Sequence, residues 1–336
     1  MSDNAAAQLW TRVKELFVRE AGHLVTVFIP EPGADALPPD DSYLRVSLSD
    51  FFLADERQWG SDRIPAVQVS VRLLFATDRP QTFATLVTPP VTTGHGSFSN
   101  YQLTGWLPYR GQPVELEAAL HEVLGANKLL TAIDIVTDFA SLVTPPVSAA
   151  LAVVDKVASG IEKIVEANSA SPALVLHETL GLPELRPGRL AVIRADEQEL
   201  APRDLALNDS GQLCLRGTRL TGYDYLVLRV EGCRWRADWK TPDLDAAIAT
   251  AFNAKLTSKP RVYKQRRDEA LAKIAMSPDL THQQRMRAAA GVRDELDSAV
   301  PRAAAEGGMT MAEIAARGLP SRGEVEHLTL ADLLAP

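Results

Sequence analysis

Val67-Gln68-Val69-Ser70-Val71-Arg72-Leu73 places an apolar side chain at every second position and a polar one between. In an extended chain, successive side chains point to opposite faces, so this run predicts a strand with one dry and one wet face. Upstream, Leu44, Val46 and Leu48 alternate in the same way with Arg45, Ser47 and Ser49. Two such runs with a polar face predict antiparallel strands that are solvated on one side. Leu24–Ile29, Phe83–Val87 and Tyr101–Leu107 are predicted as further strands. The N-terminal region therefore reads as an antiparallel sheet or a sandwich.

Phe83–Thr92 reads F-A-T-L-V-T-P-P-V-T, and Phe139–Ser148 reads F-A-S-L-V-T-P-P-V-S. The likeness does not extend beyond these ten-residue phrases, which argues against a solenoid repeat. Proline lacks an N–H and pushes the preceding residue out of the α region. Pro89-Pro90 and Pro145-Pro146 are thus expected to be two independent breaks. Helices are predicted on both sides of the second break. Residues 129–142 and 148–165 form a helical hairpin packed on the sheet, with Pro145-Pro146 at its corner. Before it, Leu116, Ala119, Leu120, Val123 and Leu124 fall at helical spacing and are closed by Gly125. On a helix there, His121 and Glu117 would be a surface pair. Residues 4–22 have an amphipathic helical pattern.

Ser and Ala at 167–172 suggest a linker. Strands at 190–193, 213–215 and 225–230 then define a smaller β-rich domain over 173–255, with a helix opened by Pro242 at its end. From 259 the pattern is helical, with Ser277-Pro278-Asp279 separating two helices, and it loosens after Glu306-Gly307-Gly308. The predicted fold class is α+β: a β domain with a helical hairpin (1–168), the smaller domain (173–255) and a helical region with a mobile tail (259–336).

The 336 residues are 46% hydrophobic and 23% charged, an ordinary globular composition. A net charge of −8 opposes a mainly electrostatic nucleic-acid binder. Lys259–Arg293 concentrates basic residues, yet Asp268, Glu269 and Asp279 offset them, so a solvated helix face is expected. The N-terminus lacks the pattern of a secretory leader, and Pro145-Pro146 interrupts the longest uncharged stretch. Two cysteines, Cys214 and Cys233, are too few for a disulfide framework. A cytoplasmic protein is expected, and abundant Ala with more Arg than Lys suits a bacterial coding sequence.

Chemistry-bearing residues are scattered. His and Cys spacings match no zinc pattern, and no Gly-rich phosphate loop is present. Neither a metal nor a cofactor is expected. Gly94-His95-Gly96 is expected in the loop after the first Pro-Pro pair. His177-Glu178 follows a strand-like run, and Cys214 could partner His177 only if the fold joins them. Thr310–Val325 resembles a helix-turn-helix through Glu313-Ile314-Ala315 and Ser321-Arg322. However, Pro320 falls in the turn, and Glu324 and Glu326 would oppose DNA phosphates.

The tail offers Leu328, Leu330, Leu333 and Leu334, an apolar motif of the kind that docks in a partner groove. The leading expectation is a non-enzymatic adaptor or accessory protein that binds a protein partner through this tail or its folded domains. One alternative is an enzyme whose site assembles around His95 or His177. Another is a membrane-active protein that uses the apolar hairpin 129–154.

Overall fold

The computed structural model describes residues 24–54, 57–58, 61–74, 80–87, 95–124, 173–180, 185–196, 198–257 and 259–298. The expected helix at 4–22, the hairpin 129–154, the linker and the C-terminal tail lie outside these residues. The chain forms two compact units, residues 1–39 with 43–233 and residues 40–42 with 234–336. The class is α+β, built on antiparallel sheets.

In the first unit, one sheet runs in the order β1 (Leu24–Pro30), β10 (Gly188–Arg194), β14 (Tyr225–Cys233), β2 (Ser42–Phe52), β6 (His95–Gln102). The short β7 (Leu107–Tyr109) also pairs with β2. The second sheet has the order β3 (Arg57–Gln58), β4 (Ser61–Leu74), β8 (Val114–Leu124), β9 (Leu174–Leu180). There β5 (Pro80–Val87) also pairs with β4. β5 stops one residue before Thr88, ahead of the first Pro-Pro pair. Strands from both sides of the expected 168–173 break thus lie in the same sheets. Their apolar faces complete one another: Leu190, Val192, Leu226 and Leu228 join Leu44, Val46 and Leu48 in a single core.

That core is a sandwich filling. Val67, Val69, Val71 and Leu73 of β4, Leu116 and Leu120 of β8, and Leu174 and Leu176 of β9 meet the first sheet's apolar face. The alternation that predicted β2 and β4 is the packing pattern observed.

β8 corrects the helix expected over 116–124. Its sequence satisfies both periods. Leu116 and Leu120 are in register for a helix stripe, yet Val114, Leu116, Ala118 and Leu120 also alternate with Glu115, Glu117, Ala119 and His121. Pairing decides the outcome: Leu116 lies opposite Val71 and Leu120 opposite Val67 on one side, while β9 flanks the other. Such tertiary contacts override local propensity.

β2 contains a bulge at Ser49. Leu48 pairs with Leu228 but Asp50 with Val227, so β2 carries one extra residue. The bulge keeps Phe51 in the core and turns Asp50 to the other face. On that face Val25, Ala191, Ile193, Tyr225 and Val227 form a second core with Leu200, Leu205, Leu213 and Leu220. The last three belong to a small sheet and its flank: β11 (Leu205–Leu207), β12 (Leu213–Leu215), β13 (Thr218–Arg219). Arg216 and Gly217, at φ 50° and 82°, make the tight turn between β12 and β13.

The second unit packs α1 (Pro242–Thr257), α2 (Pro260–Ala275) and α3 (His282–Ser298) around Leu244, Ile248, Phe252, Leu271, Ile274, Met286 and Leu296. Pro260 occupies the first turn of α2, where a missing N–H costs nothing. Thr281 Oγ1 accepts the Gln284 N–H at the start of α3. α1, expected to close the β-rich domain, belongs to this helical core.

Candidate functional site

The outer face of the second sheet brings together chemistry-bearing side chains from three strands. Alternation brings Gln68, Ser70 and Arg72 of β4 to one face. β8 and β9 add Glu115, Glu117 and His121, and Val175, His177 and Thr179. Register arranges them in rows: Ser70 opposite Glu117, and Glu117 opposite His177. The next row outward is Arg72, Glu115 and Thr179.

Burial deepens along this face. Arg72 is exposed and pairs at 3.0 Å with the half-buried Glu115. Glu117, Ser70, Gln68 and His121 are buried. This corrects the expectation that the polar positions of β4 face water. Ser47 and Ser49, the polar positions of β2, are buried as well.

The surface pair expected of Glu117 and His121 on a helix is replaced by two separate contacts. His177 Nδ1 lies 3.2 Å from Glu117 Oε1, and His121 Nε2 lies 3.1 Å from Gln68 Oε1. Burial lowers the His121 pKa to about 4, which leaves the ring neutral at pH 7. Gln68 Nε2 and Ser70 Oγ are buried without a hydrogen-bond partner.

His177 is 42% exposed, whereas its carboxylate partner is 8% exposed. The contact anchors one edge of a ring that is otherwise open to solvent. Ser70 does not extend this into a nucleophile relay. A relay needs the imidazole between hydroxyl and carboxylate, and here the Glu117 strand separates Ser70 from His177.

The other candidates are dispersed. The His95 backbone opens β6 opposite Phe52, so this residue starts a strand of the first sheet instead of sitting in a loop. Its neighbour Gly96 is packed so closely that a Cβ there would sit 2.8 Å from the Phe51 ring. Cys214 is buried in β12, with its thiol donating to the Gln212 carbonyl at 3.6 Å. The small sheet covers the outer face of the first sheet, and His177 is on the outer face of the second. The fold therefore keeps Cys214 and His177 on opposite sides of the sandwich. The basic run 259–293 is largely structural where it is buried: Arg267 pairs with Asp268 and Asp297. Leu328, Leu330, Leu333 and Leu334 lie outside the described residues.

Two polar clusters on the first sheet depend on strand pairing that the sequence does not display. Asp50, fully buried, accepts from the Leu213 N–H at 3.0 Å and the Tyr225 hydroxyl at 2.8 Å, with Arg219 3.9 Å away. Further along, Arg45, Arg189 and Arg229 interleave with Glu31 and Glu231. The arginines stand at polar strand positions, which alternation alone assigns to solvent, whereas alternation alone would carry Asp50 onto the apolar face with Leu44, Val46 and Leu48.

Among the described residues, no group of three or more His, Cys, Asp or Glu side chains could hold a metal ion. No helix among them is long and apolar enough to cross a membrane. No family model, curated protein or solved structure matches the chain.

Proposed function

We propose that the chain is a non-enzymatic interaction protein, an adaptor or accessory subunit, in which the sandwich is a scaffold. One observation carries this reading: Asp50, His121 and Cys214, three buried reactive groups, are each engaged in contacts within the fold. Asp50 ties β2 to β14 and to the small sheet, His121 joins β8 to β4, and the Cys214 thiol is closed on its own turn. A scaffold of this kind leaves recognition to its surfaces and to the tail carrying Leu328, Leu330, Leu333 and Leu334. The test compares the full chain with one ending at Gly323, each tagged and recovered from cells that make it naturally. A stoichiometric partner retained by the full chain and lost on truncation supports the tail as the docking element. Recovery of a bare chain in both cases rejects the adaptor role.

A second reading, an enzyme acting through His177, is favoured by the contact between its exposed ring and the buried Glu117 carboxylate. It predicts that His177→Ala and Glu117→Gln abolish turnover of a hydrolysable substrate found by screening, with folding preserved. Activity that survives His177→Ala removes it.

A further inference from the structure

Val262 and Met276 are the exposed large apolar side chains among the described residues, 42% and 75% exposed. Both belong to α2, Val262 in its first turn and Met276 as the residue that caps its end. At about 3.6 residues per turn, Val262, Arg266, Glu269, Lys273 and Met276 share one outward stripe. Arg261 and Lys264 flank the stripe and Lys259 precedes it, all exposed. The face is basic, and its charge is incompletely neutralised. Glu269 accepts from Arg266 at 2.7 Å and from Gln265 at 2.9 Å, while Asp268 pairs with the buried Arg267. Lys259, Arg261 and Lys264 have no acidic partner among the described residues. Two apolar groups set in a basic face match a segment that is acidic and apolar.

We propose that this face of α2 is a docking site for the chain's own segment 324–336. That segment carries Glu324, Glu326 and Asp332, no Lys or Arg, and the apolar Leu328, Leu330, Leu333 and Leu334. Its three carboxylates meet a face with five exposed cations, Lys259, Arg261, Lys264, Arg266 and Lys273. The apolar spacing fits as well. Val262 and Met276 stand about 21 Å apart along a helix axis, and Leu328–Leu334 covers roughly 20 Å when extended. Leucines laid along the stripe remove both exposed groups from water. The chain also sets out from the right place. The Tyr263 hydroxyl donates to Asp297 at 3.1 Å, and Arg267 lies 3.6 Å from the same carboxylate, so α3 ends beside the first turns of α2. Residues 299–323, which join Ser298 to the segment, can span well beyond the roughly 24 Å of α2. The docking is of the chain on itself and stands apart from the adaptor reading, although a partner that takes the same tail would compete with α2.

The test uses the purified full chain. A carbodiimide joins carboxylates to amines that touch, and mass spectrometry maps the links. Mixing isotope-labelled with unlabelled protein separates links within a chain from links between copies. The expected result is that Glu324, Glu326 and Asp332 link within one chain to Lys259, Lys264 or Lys273. Arg261→Glu with Arg266→Glu leaves these lysines in place, reverses the charge beside them and should remove most of those links. Methyl NMR supplies a readout free of cross-linking chemistry. Glu324→Lys, Glu326→Lys and Asp332→Lys together should shift the Met276 methyl signal, assigned by Met276→Leu. The signal of the buried Met286 should stay in place and report an intact fold. With no partner in the sample, the outcome is decided separately from the recovery experiment above. Equal linking of the tail to lysines elsewhere, links only between copies, which make a second molecule's tail the occupant, or an unmoved Met276 signal overturns the site.

Discussion

The Tyr225 hydroxyl donates to Asp50 Oδ2 at 2.8 Å across the β2–β14 pair, beside the Ser49 bulge. Without the extra residue, Asp50 would follow Leu44, Val46 and Leu48 into the apolar core. The bulge instead directs it to a buried place where a strand and the small sheet share one carboxylate. Tyr225→Phe removes the hydroxyl's hydrogen bond to that carboxylate and leaves the backbone N–H donors in place. The expected cost is about 1–3 kcal/mol, the range for leaving a buried polar group short of a partner. Urea unfolding at pH 7 measures it, and an unchanged midpoint contradicts the assignment.

Asp50 also sets a pH dependence. Burial outweighs the Leu213 N–H, Tyr225 and Arg219, and holds its carboxyl above the ordinary value of 3.8. The folded state therefore keeps this proton to a higher pH than the unfolded chain does. Stability contributed by the group is greatest in acid and falls as pH rises from about 3.8 through the raised value. Asp50→Asn should remove that slope. The difference between wild-type and variant unfolding free energies should decline with pH over this window and then level off.

His121 works in the opposite sense. Its folded pKa of about 4 is below the ordinary 6.5, because a buried ring resists charging. The unfolded chain binds the proton more readily, so stability is lost as pH falls from 6.5 towards 4 and is unaffected above. The shift corresponds to roughly 3 kcal/mol at about 1.4 kcal/mol per pKa unit. His121→Gln should reduce this acid-side loss. Stability curves for the two proteins that run parallel from pH 7 to pH 4 rule the buried neutral ring out.

Gly188 starts β10 with its Cα against β1. A Cβ there would lie 2.5 Å from Phe28 Cζ and 2.8 Å from the Ile29 carbonyl oxygen. The ring can turn, but the carbonyl is fixed by the sheet. Gly188→Ala is expected to destabilise the sandwich by about 1–3 kcal/mol, the usual cost of overpacking. Thermal unfolding indistinguishable from wild type would show that the strands can separate to admit a methyl group.

The strands that define the fold are visible in the sequence because period two is a strong signal where one face meets a core. Val67–Leu73 and Leu44–Leu48 announce both their conformation and their inner face. β8 is ambiguous because Ala118-Ala119 fits either period, and only pairing with β4 and β9 resolves it. The site is less legible for a related reason. A polar side chain at an outward position reads as solvated, whether it meets water, as Arg72 does, or is buried, as Gln68 and Ser70 are. Long-range pairs such as Glu117 with His177, or Asp50 with Tyr225, depend on register, which alternation does not specify.

In the helical unit, Gln284 is the corresponding test of a buried polar contact. It is 1% exposed, donates through Nε2 to the Arg236 carbonyl at 2.7 Å and accepts the Arg236 N–H at 3.2 Å. This two-way bond fastens the segment leading into α1 onto α3, and the Arg287 guanidinium stacked 4.6 Å from the Trp235 ring centre holds the same segment. A backbone N–H and C=O are left without this partner if the amide is removed, and a buried orphan group costs more than the bond is worth when made. Gln284→Ala should therefore cost about 2–4 kcal/mol, near the sum of two such penalties. Gln284→Leu restores volume but not the bonds, so it should recover less than half of the loss. Full recovery by leucine would mean that packing, and not the backbone clamp, holds the segment in place. Hydrogen exchange at the Arg236 amide separates the two: it should quicken in both variants if the clamp is what protects it.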